Sequence, residues 1–300
     1  MAAVRERAGQ DGGSLLTLAN GTVLNVVDEG TGAPIVLMHG WTADVHFWDD
    51  LAPRLVADGW RVIRFDLRGH GRSPVRGPYA FEALSDDLEC LIAALRLETP
   101  VLAGLSLGGF LAMIHAIRHP GTLRAVVLAD TWTGPVPSDA EICATLPGVD
   151  AGPQELARWW ADRRGGGAAA VDRDPAQAAR RDRFAGLSAA GIRHAIEACL
   201  GRPSVHDRLG AIDVPALVIA GEDEQVFSPA MHAEMAARIP DGRLMVIRGA
   251  GHHSATDAPA DFAAIVRGFL TGLRHPPADV TFPAPDTARG DNEKTAKQKR

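Results

Sequence analysis

Ser106 stands in Gly104-Leu105-Ser106-Leu107-Gly108-Gly109, between an apolar run that reads as a buried strand and one that reads as a helix. A Gly-x-Ser-x-Gly at such a junction suits a nucleophile: the serine sits on a sharp, strained turn with its hydroxyl exposed, and flanking side chains would collide. The N–H groups of the following helix favour the negative charge of an oxyanion, with Leu107 N–H as a natural donor. The competing reading is a plain strand-to-helix turn with a capping serine. A second donor comes from His39-Gly40-Trp41 at the end of an earlier strand, where the glycine lets the chain turn and aims the Trp41 N–H inward. His39 itself reads as structural.

A serine hydroxyl needs a base, and the chain has eleven histidines. His252, in Gly249-Ala-Gly-His252-His253, follows a late strand on a glycine-rich turn at the same sheet edge as Ser106. It is the base of choice, while His253 points elsewhere and the pair lacks a third ligand at a spacing that would make it a metal site. His70, in Asp66-Leu-Arg-Gly-His70-Gly-Arg-Ser73, reads as loop-stabilising, and the remaining histidines as surface or packing residues. The third member is a carboxylate that fixes the imidazole tautomer. Gly221-Glu222-Asp223-Glu224-Gln225 follows the next-to-last strand; Glu224 is the first choice there and Asp223 the second, with Asp130, at the end of Val126-Val-Leu-Ala-Asp130, as a rival from another loop. Serine, acid, histidine is one of the chain orders in which such triads occur.

The positioning elements follow from hydrophobic periodicity. Two apolar runs flank Asn20-Gly21 between Leu15 and Val27, a hairpin signal. Strands at Ile35–Met38, Arg61–Phe65, Pro100–Leu105 and Arg124–Ala129 then alternate with helical spacing around Trp48–Val56, over Phe81–Leu95 and over Leu107–Arg118. Such alternation means a parallel sheet with both faces covered. Strand signals vanish over 133–208, an inserted helical cap, and resume at Ala216–Ala220 and Leu244–Ile247 with helices at Pro229–Ile239 and Pro259–Leu273. The expected organisation is a flexible 1–12, a core in two parts (13–132 and 209–275) interrupted by the cap, and a disordered tail over 276–300. If the cap helices turn inward, Trp132, Trp159, Trp160 and Phe184 line a mostly apolar substrate pocket; for each, cap packing is the competing role.

Of the 300 residues, 46% are hydrophobic and 23% charged, enough apolar mass for a large core and incompatible with disorder or collagen. A formal charge of -6 provides no cationic field for nucleic acid or an anionic membrane. Cys90, Cys143 and Cys199 form no Cys-x-x-Cys spacing, which argues against a disulfide framework or thiolate metal site and for a reducing, cytoplasmic setting. No leader-like apolar stretch opens the chain, and no run approaches the roughly 20 residues that span a bilayer. The chemistry needs neither metal nor organic cofactor, and the chain could act as a monomer or a homo-oligomer.

In combination these motifs resemble the α/β-hydrolase superfamily from the opening hairpin to about Leu273: His39-Gly40-Trp41 is similar to its oxyanion loop, Asp66 to Ser73 to the stretch after the following strand, Ser106 to its nucleophile and Gly249-Ala-Gly-His252 to its base. The resemblance implies an α/β fold with a mostly parallel central sheet, helices on both faces and a helical cap. It also implies an acid three residues after Gly221, at Glu224, where aspartate is commoner in the family. Serine at the elbow sets the chain apart from the dehalogenase and epoxide hydrolase branches, which use aspartate there. The implied activity is hydrolysis of a small or medium, largely apolar ester or lactone through an acyl-enzyme. Alternatives on the same scaffold are a C–C bond hydrolase of ring-cleavage products, a cofactor-free haloperoxidase or perhydrolase, and a slow-turnover ligand receptor.

Overall fold

The computed structural model describes residues 13–41, 43–77, 79–136 and 188–274, with 147, 151–152, 154–155 and 159 between them. Trp160, Phe184 and the two terminal segments lie outside the described residues. Eight strands form one sheet: β1 (Ser14–Thr17), β2 (Val23–Glu29), β3 (Ala33–Met38), β4 (Trp60–Phe65), β5 (Val101–Leu105), β6 (Ala125–Ala129), β7 (Ala216–Gly221) and β8 (Gly242–Ile247), in the order β1-β2-β4-β3-β5-β6-β7-β8. The last six are parallel, and β1 and β2 run antiparallel at one edge. This is the α/β-hydrolase fold that the motifs imply.

The central strands β3, β5, β6 and β7 are apolar throughout because both faces are covered, and alternate residues sort into two cores. Ile35, Leu37, Val101, Ala103 and Val127 face one core with Trp48, Leu55, Phe262 and Val266. Val36, Met38, Leu102, Val126 and Leu128 face the other with Leu88, Leu91, Phe110 and Leu111. The helices that cover them are α1 (Ala52–Ala57), α2 (Phe81–Leu95), α3 (Leu107–Arg118), α4 (Ala189–Leu200), α5 (Pro229–Arg238), α6 (Ser254–Asp257) and α7 (Pro259–Arg274). No helix among the described residues is long and apolar enough to cross a membrane.

Two local expectations are corrected. The helical spacing around Trp48 is split into a 3₁₀ turn, Val45–Trp48, and the short α1, which carries a proline in its first turn. Asp44 caps the 3₁₀ turn through His46 N–H, and Pro53 suits a helix start but not its interior. The hairpin at Asn20-Gly21 is also longer than a two-residue turn: Gly21 N–H donates to Leu18 O at 2.9 Å and Leu18 N–H to Thr22 O at 2.7 Å. Only Gly21 there has positive φ, at 77°. The loop is thus a turn closed by a left-handed glycine, one of the longer hairpin connections.

The stretch after β4 is a structural knot. Asp66 Oδ1 accepts from Val45 N, and its Oδ2 from Asn25 Nδ2 and Arg72 N. Ser73 Oγ donates to Asp66 O and accepts from Asn25 N, while the Arg68 guanidinium clamps Asp87 of α2. His70, fully buried here, is pushed down to about 3, chiefly by desolvation and secondarily by the nearby His39. The sign follows: between pH 3 and 6.5 the unfolded chain holds a proton at His70 that the folded chain lacks, so its contribution falls as pH falls below 6.5. His70→Asn is therefore expected to stabilise the protein at pH 5, relative to its effect at pH 7, by about 2 kcal/mol. Urea midpoints of both proteins at the two pH values test this, and a pH-independent difference would refute it.

Candidate active site

The sheet order reverses around β3: the chain passes from β3 to β4 on one side and then crosses to β5 on the other. The loops after β3 and β5 thus leave the C-terminal edge at this switch point, the usual ligand position in open α/β sheets. The loops after β6, β7 and β8 open at the same edge, which brings together residues far apart in sequence.

Ser106 has φ 52° and ψ −113°, a conformation an L-residue adopts only under strain. Its surroundings enforce this: Ser106 N–H donates to Ala129 O at 2.9 Å and Thr131 Oγ1 donates to Ser106 O at 2.7 Å. The neighbouring glycines are required by contact. A Cβ on Gly104 would stand 2.2 Å from Gly108 C and O, and one on Gly108 would stand 2.3 Å from Met38 O. Gly104→Ala is expected to cost about 3 kcal/mol, at the upper end for overpacking because the clash is with backbone. Gly268→Ala, with open space on α7, should instead stabilise by roughly 0.8–1 kcal/mol through helix propensity. Equal urea midpoints for the two variants would contradict both readings.

His252 Nε2 lies 3.2 Å from Ser106 Oγ, and its Nδ1 lies 2.6 Å from Glu224 Oε2. The second contact makes Nδ1 the protonated nitrogen and leaves the Nε2 lone pair toward Ser106. Glu224 is buried, and its other oxygen accepts from Val226 N at 2.6 Å and Phe227 N at 3.4 Å. The extra methylene relative to aspartate is accommodated because the loop's own amides hold the carboxylate. Phe227 also sets its ring 5.7 Å from that of His252.

The two rival acids are placed elsewhere. Asp223 is exposed and engages Ala250 O through its backbone. Asp130 is completely buried with φ 44°; Oδ1 accepts from Gly221 N, and Oδ2 from Ser254 N and Oγ. It ties the Glu222–Gln225 loop to the segment just after His252, and burial pushes its pKa well above the ordinary aspartate value. Proximity to the sheet edge in sequence could not separate this clamp from Glu224; the left-handed backbone and the hydroxyl of Ser254 do.

The His39–Trp41 loop reaches Ser106 as expected, since a Cβ on Gly40 would lie 3.4 Å from Ser106 Cβ. His39 is structural: its Nε2 accepts from Leu67 N at 3.0 Å, so Nδ1 carries the proton and donates to Gly40 O at 2.7 Å. Leu107 is the first residue of α3, where N–H groups have no acceptor within the helix. The arrangement can deprotonate a serine hydroxyl and offer N–H donors beside it.

Of the expected pocket residues, Trp132 is half-buried with its ring 5.7 Å from that of His206, and Trp159 is buried in the core on the α3 side of the sheet. Two described stretches distant in sequence meet here: Val205 N–H donates to Thr133 O and Arg202 Nε to Gly134 O.

Comparison with known proteins agrees with this geometry. Residues 31–259 match the family model described as serine aminopeptidase, S33. The pimeloyl-[acyl-carrier protein] methyl ester esterase of Neisseria meningitidis is 30% identical over 285 residues, 84% of this chain and 85% of that protein. A non-heme chloroperoxidase of Kitasatospora aureofaciens is 30% identical over 276 residues, 86% and 98% of the two chains. Among solved structures, the enol-lactonase from Burkholderia xenovorans superposes with a TM-score of 0.75 at 29% identity, covering 86% of this chain and 99% of that one. The chain therefore belongs to the serine aminopeptidase S33 family of the α/β-hydrolase superfamily, as an enzyme of its ester-cleaving and haloperoxidase branch.

Proposed function

We propose that this protein is a serine hydrolase of carboxylic esters or lactones with a small or medium, largely apolar acyl part, acting through an acyl-enzyme. The observation that carries this reading is the continuous chain from Ser106 Oγ to His252 and on to Glu224, at 3.2 and 2.6 Å. His252 Nε2 takes the Ser106 proton as Oγ bonds to the carbonyl carbon, and the N–H groups of Trp41 and Leu107 hold the resulting oxyanion. As the tetrahedral species collapses, His252 gives that proton to the leaving alcohol. Water then attacks the acyl-serine, losing its proton to His252, which returns it to Ser106. Glu224 holds the imidazole in one tautomer throughout and stabilises the imidazolium. Each oxyanion donor contributes about 2.7–4 kcal/mol to lowering the barrier.

The esterase and enol-lactonase relatives support the ester class. The chloroperoxidase relative favours a second reading in which hydrogen peroxide replaces water in the second half-reaction and releases a peracid. Burst kinetics on p-nitrophenyl esters of increasing chain length test the proposal. A stoichiometric burst followed by steady turnover is expected, fastest for short and medium chains. A burst without turnover would favour the receptor reading, and turnover accelerated by peroxide with a peracid product would favour perhydrolysis. Absence of p-nitrophenol release from every ester would refute the proposed class.

A further inference from the structure

On the α2–α3 side of the sheet, remote from the active site, three side chains converge. His115 lies on α3 and His119 one turn later, just past the helix end at Arg118, and Glu89 comes from α2. His115 lies nine residues beyond Ser106 in the chain, about 14 Å away at the helical rise. We propose that Glu89, His115 and His119 form a binding site for a divalent transition-metal ion of the zinc type, clipping α2 to α3.

His115 is completely buried, and its Nε2 has no hydrogen-bond partner. That nitrogen faces Glu89 Oε2 at 3.7 Å, and His119 Nδ1 faces the same oxygen at 3.5 Å. Both separations are too long for hydrogen bonds. They suit two ligands of one ion: atoms each about 2.0–2.1 Å from zinc stand roughly 3.3 Å apart at the tetrahedral angle. A buried imidazole nitrogen left without a partner needs a reason, and a cation between it and the carboxylate supplies one.

The ligand chemistry agrees. Two imidazoles and a carboxylate are a common three-residue zinc set, with water completing the tetrahedron. His115 Nδ1 lies 3.3 Å from Ser85 Oγ, one turn before Glu89 on α2, so the hydroxyl can accept from Nδ1–H and leave Nε2 free to ligate. The Arg118 guanidinium opposes a cation, but it is engaged by Asp86 Oδ1 and Glu82 O. The imidazole rings stack at 4.4 Å and 26°, so the His119 ring must turn for both in-plane lone pairs to reach one ion. His115 is locked by its burial, whereas the more exposed Glu89 and His119 can swing to close the tetrahedron. The histidine pair alone gives no third ligand and reads from sequence as surface or packing residues; His115-Ala-Ile-Arg-His119 becomes a metal constellation only when α2 delivers Glu89.

The test is zinc chloride titrated into the metal-stripped full chain, read by thermal unfolding, with cobalt(II) absorption reporting coordination geometry. A rise of about 5–10 °C at hundredfold excess over Kd is expected, together with a tetrahedral cobalt spectrum. Both should be lost in His119→Ala and Glu89→Gln, exposed enough to leave the apo-protein folded and its ester turnover unchanged. No shift in the wild type, or an equal shift in both variants, would overturn the proposal; the latter outcome would place the ion on other imidazoles, such as His252.

Discussion

Ser106→Ala is expected to lower kcat on a p-nitrophenyl ester by about 10⁴–10⁶-fold, with no change in the urea midpoint beyond a few tenths of a kcal/mol. The size follows from losing the covalent route: water must then attack unaided, while the N–H groups of Trp41 and Leu107 and the pocket still hold the ester. KM should change little because the hydroxyl acts mainly in the transition state. The serine makes its structural bonds through its backbone, to Ala129 O and from Thr131 Oγ1, and these survive truncation. Steady-state kinetics beside equilibrium unfolding separate chemistry from folding. A variant within tenfold of wild type would remove Ser106 from the reaction.

Glu224→Gln is expected to cost about 10⁴-fold in kcat, roughly 5 kcal/mol of barrier. The amide is nearly isosteric and can still accept from Val226 N, so the loop should keep its shape. It carries no charge to stabilise the imidazolium, and its NH₂ can present a donor to Nδ1, favouring the tautomer with the proton on Nε2. That tautomer cannot accept from Ser106. Glu224→Asp has the charge but a shorter arm; with Val226 and Phe227 amides built around the longer one, a loss of about 10²-fold is expected from misplacement. The ranking wild type, then aspartate, then glutamine in kcat is the diagnostic result. If Asp223→Asn were the damaging change instead, the acid would be misassigned.

Element type and order were legible in the chain because each carries its own local signal. The apolar runs at Ile35–Met38 and Val101–Leu105 need cover on both faces, and Pro120 and Pro229 mark helix boundaries. The 3₁₀ turn at Val45–Trp48 was not legible, since periodicity cannot distinguish it from one longer helix; Asp44 and Pro53 carry the signal. The edge position of β8 was equally hidden. Its Leu244-Met-Val-Ile247 run is as apolar as those of the central strands, yet β8 ends the sheet order and Met245 and Val246 are exposed there.

For the site, the sequence by itself singled out Ser106, His252 and the His39–Trp41 loop as candidates, because each lies in a glycine pattern that only a specific backbone geometry requires. Choosing among Glu224, Asp223 and Asp130 needed tertiary structure. All three carboxylates end strands at one sheet edge, and a strand end specifies position along the sheet but not side-chain direction. Direction was decided by neighbours distant in sequence: Ser254 and Gly221 engage Asp130, while Val226 and Phe227 hold Glu224 against His252. The same holds for Glu89 with His115 and His119, since a helix can set two imidazoles one turn apart but only packing of α2 on α3 brings a carboxylate to them.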